Sequence, residues 1–366
     1  MRPEVTTTAM RPWTKKCAIR SGQISVISSV QKNSLTARQA ERQTMPPQKP
    51  AMPLQAYSET DGASETDMSG VDFAFLDSGT GGIPYMLALK EKMPSARCVY
   101  LGDTAHFPYG EKSPDEVTRS AAATIRLIVE KWHPKAIVIA CNTISVTSLD
   151  DLRALFPETP IVGTVPAIKL AANVTKNKRI GLLATNATVN HPYCARLTRD
   201  FASDCTVFSR GDPDLISFIE HELFTATPKQ KRAAVTPAVE FFSAHDCDTI
   251  ILGCTHFTHV ADEIAAVAGN KVRVVDSREG VANQAIRVEA EKMASCENSP
   301  QDARSTQRAF TKEENHRGLF PSERDYSRDI PADKTFFVTA CTPADTAEYS
   351  TLCKGYCIPW GGKISL

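Results

Sequence analysis

Two short apolar runs of the same pattern constrain the fold of this chain more than any other feature. One is Ala136–Ala140, which leads into Cys141, and the other is Thr249–Gly253, which leads into Cys254. Short runs rich in β-branched residues predict buried β-strands. In α/β proteins the carboxyl ends of such strands are where ligands bind. The two cysteines therefore predict two halves of one active site.

Strand-like and helix-like segments alternate along the chain from Val71 onward, and one of the predicted helices runs from about Ser145 to Phe156. The strand-like segment Arg179–Thr185 restarts the pattern, at a distance before Cys254 similar to that between Asp77 and Cys141. Strands that alternate with helices predict parallel sheets with helices on both faces. We therefore predict an α/β fold of two similar, doubly wound parallel-sheet domains with the active site in the cleft between them.

Two polar segments differ from the rest of the chain. Residues 1–70 are rich in Arg, Lys, Ser, Thr, Gln and Pro, and up to residue 57 only Glu4 and Glu41 are acidic. This composition is typical of a disordered extension, or of sequence translated upstream of a later start at Met68; it fits a transit peptide only weakly. The second segment, 295–333, is charged and poor in apolar residues, and we expect a flexible insertion there.

The overall charge and the cysteine spacing exclude several classes of function. Lys plus Arg and Asp plus Glu are both 42, so the net charge is zero and gives no electrostatic case for nucleic acid or an anionic membrane. No run approaches the roughly 20 apolar residues of a membrane span. The 11 cysteines form no disulfide framework or zinc motif, since Cys353 and Cys357 face no matching pair. We expect no metal and a reducing, cytoplasmic setting.

The glycine-rich loop Asp77–Gly82 follows one predicted strand and opens a predicted helix. Glycines there let backbone N–H groups approach an anion at a helix N-terminus, or simply allow a tight turn. The loop matches neither a Walker motif nor GxGxxG. Asp77, at the strand end, would be a partner for a cationic group or a general base.

The two cysteine motifs, Cys141–Thr143 and Cys254–His256, supply thiols flanked by amide, hydroxyl and imidazole groups. A lone buried cysteine is usually a small core residue, but two thiols at strand ends favour chemistry. One thiol with a histidine would suit acyl transfer. Two thiols on opposite sides of one carbon would remove a proton from one face and donate one to the other. That scheme inverts a stereocentre without a cofactor.

Four motifs together resemble glutamate racemase: Phe75–Gly82, Tyr100–Gly110, Ala140–Thr143 and Leu252–His256. The resemblance covers about residues 71–288, with a further stretch near 335–353. The cysteine pair alone would also fit aspartate racemase and its relatives. The Asp-Ser-Gly-x-Gly-Gly and Pro-Tyr-Gly motifs favour the glutamate branch.

The resemblance implies cofactor-independent interconversion of L- and D-glutamate, which supplies D-glutamate for peptidoglycan in a bacterial cytoplasm. It implies that Cys141 takes the proton from D-glutamate and Cys254 takes it from L-glutamate. Asp77 would assist Cys141, and His256 would assist Cys254. Glu220 resembles the family's second carboxylate helper, although a solvated helix glutamate is the alternative. The substrate-binding positions implied are Asp77, Ser78, Tyr109, Gly110, Asn142, Thr143, Thr255 and His256.

The resemblance also implies that the chain crosses to a second domain and returns. We expect residues 71–168 with 277–366 as one domain and 169–276 as the other. The chain departs from the family pattern at three places. Ile144 stands where a small residue is common, Phe257–His259 replaces an aromatic-Pro-apolar sequence, and the 295–333 segment matches no part of that pattern. Three alternative functions stay open: a racemase for aspartate, a Cys-His hydrolase or acyltransferase, and a non-catalytic amino-acid sensor. A homodimer is also possible from the sequence.

Overall fold

The structure is a computed structural model that describes residues 70–297 and 331–366. Nearly all of the predicted N-terminal extension and the middle of the predicted insertion lie outside the described residues. In chain order the strands are β1 (Phe73–Asp77), β2 (Cys98–Gly102), β3 (Ala136–Ile139), β4 (Ile161–Gly163), β5 (Arg179–Ala184), β6 (Thr206–Gly211), β7 (Thr249–Leu252), β8 (Arg273–Val275), β9 (Thr335–Val338) and β10 (Trp360–Lys363).

The helices of the described ranges connect these strands. They are α1 (Ile83–Lys92), α2 (Pro114–Trp132), α3 (Asn142–Leu155), α4 (Ile168–Val174), α5 (Asn186–Asn190), α6 (Pro192–Phe201), α7 (Pro213–His221), α8 (Pro228–Ala244), α9 (Ala261–Ala268), α10 (Arg278–Glu297) and α11 (Pro343–Tyr356). Short 3-10 helices span Thr104–His106, Tyr109–Glu111 and Thr255–Val260. None of the helices in these ranges has the length and apolar character needed to cross a membrane.

The strands form two sheets, and every pair of neighbouring strands is parallel. The first sheet has the order β10-β9-β2-β1-β3-β4 and the second has the order β6-β5-β7-β8. The chain leaves the first sheet after β4 and returns to it after β8. The predicted fold class, two parallel-sheet α/β domains, is confirmed, while the exact domain bounds stay a prediction.

Helices cover both faces of each sheet because the central strands carry apolar side chains on both sides. In β1, Phe73 and Phe75 point toward the core formed with α1, α10 and α11. Ala74 and Leu76 point to the opposite core, formed with α2 and α3. The second sheet is packed in the same way between α7, α8 and α9 on one face and α4 and α6 on the other.

Each sheet has a point where successive strands are added on opposite sides, and a strand that leads into a predicted site cysteine lies at that point. In the first sheet β1 lies between β2 and β3, and in the second β5 lies between β6 and β7. The carboxyl ends of β3 and β7 therefore lie at these switch points, and they lead into Cys141 and Cys254. Such points are where open α/β sheets bind ligands.

Two segments differ from the sequence prediction in their bounds. The helix expected from about Ser145 begins at Asn142, because Cys141 is extended (φ −141°, ψ 117°) and the chain turns into α3 directly after it. The predicted insertion is shorter at both ends. Helix α10 continues to Glu297, and Asp333 pairs with Lys90 at 2.7 Å. Residues 298–330, where the insertion prediction still stands, lie outside the described ranges.

Candidate active site

A cavity of about 410 Å³ lies between the carboxyl ends of the two sheets. Its wall is built from loops that follow strands of both sheets, and both cysteines of the predicted pair line it. The predicted site residues in the wall are Ser78, Tyr109, Gly110, Cys141, Asn142, Thr143, Cys254, Thr255 and His256. The sequence therefore identified residues that the fold brings to one cavity.

Cys141 is the residue that caps the N-terminus of α3, and its side chain is buried. The backbone N–H of Ile144 and the Asp77 carboxyl both interact with its thiol. Burial raises the pKa of the Cys141 thiol well above its usual range, and the charge of Asp77 adds to this effect. The geometry therefore favours the protonated form of Cys141.

Cys254 is the corresponding residue of the second sheet, and an imidazole rather than a carboxyl lies beside its sulfur. The Nδ1 atom of His256 lies 3.7 Å from its sulfur. Burial alone would lower the pKa of His256, but hydrogen bonds with Cys254 and Glu220 outweigh burial and raise this pKa well above its usual range. The imidazole is therefore charged, and its Nδ1 atom faces the Cys254 sulfur.

Glu220 is fully buried in α7 and holds His256 from the side opposite Cys254. Its Oε2 atom lies 3.0 Å from Nε2 of His256 and accepts hydrogen bonds from the backbone N–H and the hydroxyl of Thr80. Its Oε1 atom accepts a hydrogen bond from the Tyr349 hydroxyl at 2.8 Å. Burial would raise the pKa of Glu220, but His256 and Thr80 hold it below its usual value. The alternative of a solvated helix glutamate is wrong, because the residue is 0% exposed.

The glycine-rich loop binds an anion, and that anion is the Glu220 carboxylate of the same chain. Gly79 and Gly81 are required because side chains of α7 and of the 3-10 helix after β7 approach the backbone closely. A Cβ atom on Gly79 would overlap the Glu220 carboxylate. A Cβ atom on Gly81 would lie 2.6 Å from Nδ1 of His256 and 2.8 Å from Oγ1 of Thr255. The two predictions for this loop, a tight turn and an anion site, thus describe one structure.

Asp77 lies behind the cavity wall, where it is 0% exposed. It accepts hydrogen bonds from the Ser78 backbone N–H at 2.7 Å and from the Thr255 hydroxyl at 3.0 Å. Burial raises the pKa of Asp77, and the charge of His256 and the hydrogen bond with Cys141 oppose the rise. The Asp77 carboxyl therefore reaches the cavity through Cys141, Ser78 and Thr255 rather than by forming part of the wall.

Asn142 presents hydrogen-bonding groups that the described part of the chain leaves unused. Both amide atoms of its side chain are buried, and neither has a hydrogen-bond partner there. The neighbouring Thr143 hydroxyl lies 3.0 Å from the Thr185 hydroxyl of the second sheet. Because an unpaired buried amide costs free energy, the Asn142 side chain is poised to bind a polar ligand.

Tyr109 contributes to the wall, but its hydroxyl is already occupied. It donates a 2.5 Å hydrogen bond to the buried carboxylate of Asp103, which also accepts from Thr124 and Thr339. Burial raises the pKa of Tyr109 far above its usual value. Asp103 follows the end of β2 and was missed from the sequence, although its position after a buried strand is the signal that identified Asp77.

Sequence reasoning missed about half of the cavity wall. The missed residues are Phe107, Pro108, Glu111, Thr185, Asn186, Pro213, Asp214, Ile216, Ser217 and His221. Thr185 could have been found, because it directly follows the strand that restarts the α/β pattern. The residues of α7 carry no motif, and only the folded chain shows that they belong to the site. No group of His, Cys, Asp or Glu side chains in the two described ranges is arranged to hold a metal ion.

Comparison with known proteins identifies the class to which this fold and cavity belong. The family model described as Asp/Glu/Hydantoin racemase matches residues 86–285. The chain belongs to the Asp/Glu/hydantoin racemase family.

Relatives within this family narrow the class further. The chain is 40% identical over 216 residues to a glutamate racemase of Treponema pallidum, which covers 59% of this chain and 80% of the relative. It is 38% identical over 248 residues to a glutamate racemase of a Shewanella species, with 66% and 89% covered. The crystal structure of Escherichia coli glutamate racemase, in complex with L-glutamate and the activator UDP-MurNAc-ala, is 27% identical and has a TM-score of 0.62. The structural match covers 80% of this chain and 98% of the Escherichia coli chain. The chain is an isomerase of the amino-acid racemase class.

Proposed function

We propose that this chain interconverts L- and D-glutamate without a cofactor, with Cys254 and Cys141 as the two acid/base groups. The observation that carries the proposal is the cavity itself. Two thiols from the carboxyl ends of two different sheets line it, one beside a charged imidazole and the other beside a carboxyl. The amino-acid racemase class, and relatives that are glutamate racemases, support the choice of reaction and substrate.

In the direction from L to D, the Cys254 thiolate removes the α-proton and the Cys141 thiol donates a proton to the opposite face. The Cα–H bond breaks, its proton moves to the Cys254 sulfur, and its electron pair stays on the substrate. The S–H bond of Cys141 then breaks, and the electron pair left on the substrate carbon binds the proton that Cys141 releases. The electron pair of the S–H bond stays on the Cys141 sulfur. The charge of His256 supports the first role, and the protonated state of Cys141 supports the second. The reverse reaction starts from the proton state that this turnover leaves behind.

The substrate carbanion must be stabilised by fixed hydrogen-bond donors in a site that excludes water. The unpaired Asn142 amide is such a donor, and Asn142 lines the cavity together with Thr143 and Thr255. Ser78 and Gly110, which also line the cavity, are neutral residues that can bind a second carboxylate. A substrate with two carboxylates, such as glutamate, matches this set of neutral donors. Asp77, behind the wall, acts through the groups that it contacts.

The proposed role in the cell is the supply of D-glutamate for peptidoglycan, in the cytoplasm. The resemblance in the cysteine motifs and the glutamate racemases among the relatives support this role. Substrate selectivity is the part that most needs a direct test, because aspartate differs from glutamate by a single methylene.

The experiment follows optical activity and isotope incorporation together. Purified chain is incubated in D₂O with L-glutamate, D-glutamate or L-aspartate. The enantiomers are separated by chiral chromatography, and the deuterium content of each is measured by mass spectrometry. We expect glutamate to racemise, with one deuterium at Cα of the product enantiomer before deuterium enters the remaining substrate. Preference for aspartate would overturn the choice of substrate. Binding of glutamate without inversion, or a covalent acyl-enzyme, would overturn the reaction itself.

A further inference from the structure

His259 lies outside the predicted site, at a position where the family resemblance leads us to expect an apolar residue. It belongs to the 3-10 helix Thr255–Val260, three residues after His256. Its Nε2 atom lies 3.0 Å from the Thr80 carbonyl oxygen, and its Nδ1 atom lies 2.7 Å from the Tyr356 hydroxyl. The ring packs edge-on against Phe224, with ring centroids 5.3 Å apart. An imidazole with both nitrogens engaged is a specific interaction rather than a space-filling one.

The direction of each hydrogen bond follows from the chemistry of the partners. A carbonyl oxygen only accepts, so Nε2 of His259 carries a hydrogen and donates it to Thr80. Burial lowers the pKa of His259 to about 4, so the ring is neutral near pH 7 and Nδ1 must accept. Burial also raises the pKa of Tyr356 to about 12, so its hydroxyl keeps the proton that it donates. Tyr356 therefore donates to His259, which in turn donates to Thr80.

Thr80 connects this pair to the reactive cysteine. Its backbone N–H and hydroxyl donate to Oε2 of Glu220 at 2.8 and 2.7 Å. The same oxygen lies 3.0 Å from Nε2 of His256, whose Nδ1 faces Cys254 at 3.7 Å. A continuous series of contacts thus runs from Tyr356 through His259 and Thr80 to Glu220, His256 and Cys254. We call these last three residues the Cys254 half of the site. No hydrogen bond in this series leads to Cys141.

We propose that His259 is a positioning residue for the Cys254 half of the site, because it holds the carbonyl of Thr80, whose own N–H and hydroxyl orient Glu220 and, through it, His256. This inference rests on the proposed two-thiol racemisation. It assigns a role to a residue at which this chain departs from the family pattern. Loss of the His259 hydrogen bond should loosen the backbone on both sides of Thr80 and the Glu220–His256 pair, while the Cys141 half keeps its geometry.

The test measures each half of the site separately. With Cys141→Ala, Cys254 can still remove and return the α-proton of L-glutamate, so L-glutamate gains deuterium from D₂O without inversion. With Cys254→Ala, the same holds for D-glutamate at Cys141. His259→Phe, which keeps an aromatic ring but loses both hydrogen bonds, is added to each background. We expect exchange of L-glutamate to fall about tenfold and exchange of D-glutamate to stay unchanged.

Three further variants separate positioning from folding. His259→Gln retains an N–H that can reach the Thr80 carbonyl, so it should restore most of the L-glutamate exchange. Tyr356→Phe removes only the far end of the series and should have a smaller effect. The matched control is His245→Phe, because His245 also bonds a backbone carbonyl and packs on aromatic rings but lies outside the cavity wall. It should change neither exchange rate.

Equal losses of L- and D-glutamate exchange in His259→Phe, or no loss in either, would overturn the role of His259. Failure of the proposed function would show in the two single-cysteine parents, in which His259 is intact. Those parents would then exchange L- and D-glutamate without selectivity. The two failures are therefore distinguishable in one set of measurements.

Discussion

Replacement of Glu220 by glutamine tests whether a buried carboxylate keeps His256 charged. Glutamine has nearly the same volume and retains one acceptor oxygen, so hydrogen bonds from Thr80 or Tyr349 can persist. The negative charge 3.0 Å from Nε2 of His256 is lost, and burial then favours neutral imidazole. The substitution therefore removes one charge-assisted hydrogen bond and leaves the packing around it in place.

The magnitude follows from the geometry of the pair. At 3.0 Å and an effective dielectric constant of about 20, two unit charges attract by roughly 5 kcal/mol. Much of this attraction offsets the cost of burying both groups. Hydrogen bonds to charged groups contribute about 1.5–3 kcal/mol net. We therefore expect Glu220→Gln to lower the free energy of unfolding by about 2–3 kcal/mol near pH 6.

The stability difference should also depend on pH with a definite sign. The pKa of His256 is raised above 6.5 in the folded chain, so its contribution is complete below 6.5 and is lost as the pH rises through the raised pKa. The pKa of Glu220 is lowered below 4.5, so its contribution is present above 4.5 and is lost as the pH falls through the lowered pKa. The difference between wild type and Glu220→Gln should thus be largest between these two values and shrink in alkaline solution.

Urea unfolding, followed by circular dichroism across this pH range, measures the difference directly. The matched control is Glu348→Gln, which alters another buried carboxylate whose hydrogen bond comes from the backbone N–H of Phe224. Its effect should not fade in alkaline solution with that of Glu220→Gln. A stability difference for Glu220→Gln that stays constant or grows from pH 6 to pH 9 would refute a charged His256 in the folded chain.

Two further substitutions separate stability from activity. Gly79→Ala would place a Cβ atom on the Glu220 carboxylate. Urea unfolding should therefore show a decrease of about 1–3 kcal/mol in the free energy of unfolding, together with a fall in kcat. The control Gly355→Ala, at an exposed helical position with open space around it, should be neutral or slightly stabilising. Asn142→Leu removes two buried polar atoms that have no partner in the described part of the chain, so stability should be unchanged or increased while KM for glutamate rises about tenfold or more. A large loss of stability in Asn142→Leu, or none in Gly79→Ala, would contradict these assignments.

The sequence predicted those parts of the fold that depend on local patterns. Apolar runs located the strands, and the polar residues after them located both cysteines, since strand ends and ligand sites coincide in α/β folds. The glycines of the Asp77–Gly82 loop were recognised as significant. Their reason was not visible from the sequence, because the carboxylate that they accommodate is 140 positions away from Thr80 in the chain.

The remainder of the site depends on contacts between the two sheets. Ser217 and His221 line the cavity only because α7 packs against the loops of the first sheet. Glu220 lies on the same helix as these two residues, yet it is buried behind the wall, and helical periodicity alone does not distinguish these environments. His259 was noted as a departure from the family pattern, but its hydrogen bonds to Thr80 and Tyr356 required the folded chain.

The central claim is that two thiols act on opposite faces of one carbon, and single-cysteine variants test it most directly. Each variant is incubated in D₂O with each enantiomer of glutamate, and deuterium at Cα is measured together with optical purity. We predict that Cys141→Ala exchanges only L-glutamate, that Cys254→Ala exchanges only D-glutamate, and that neither variant racemises. Racemisation that survives in either variant would contradict the two-thiol mechanism.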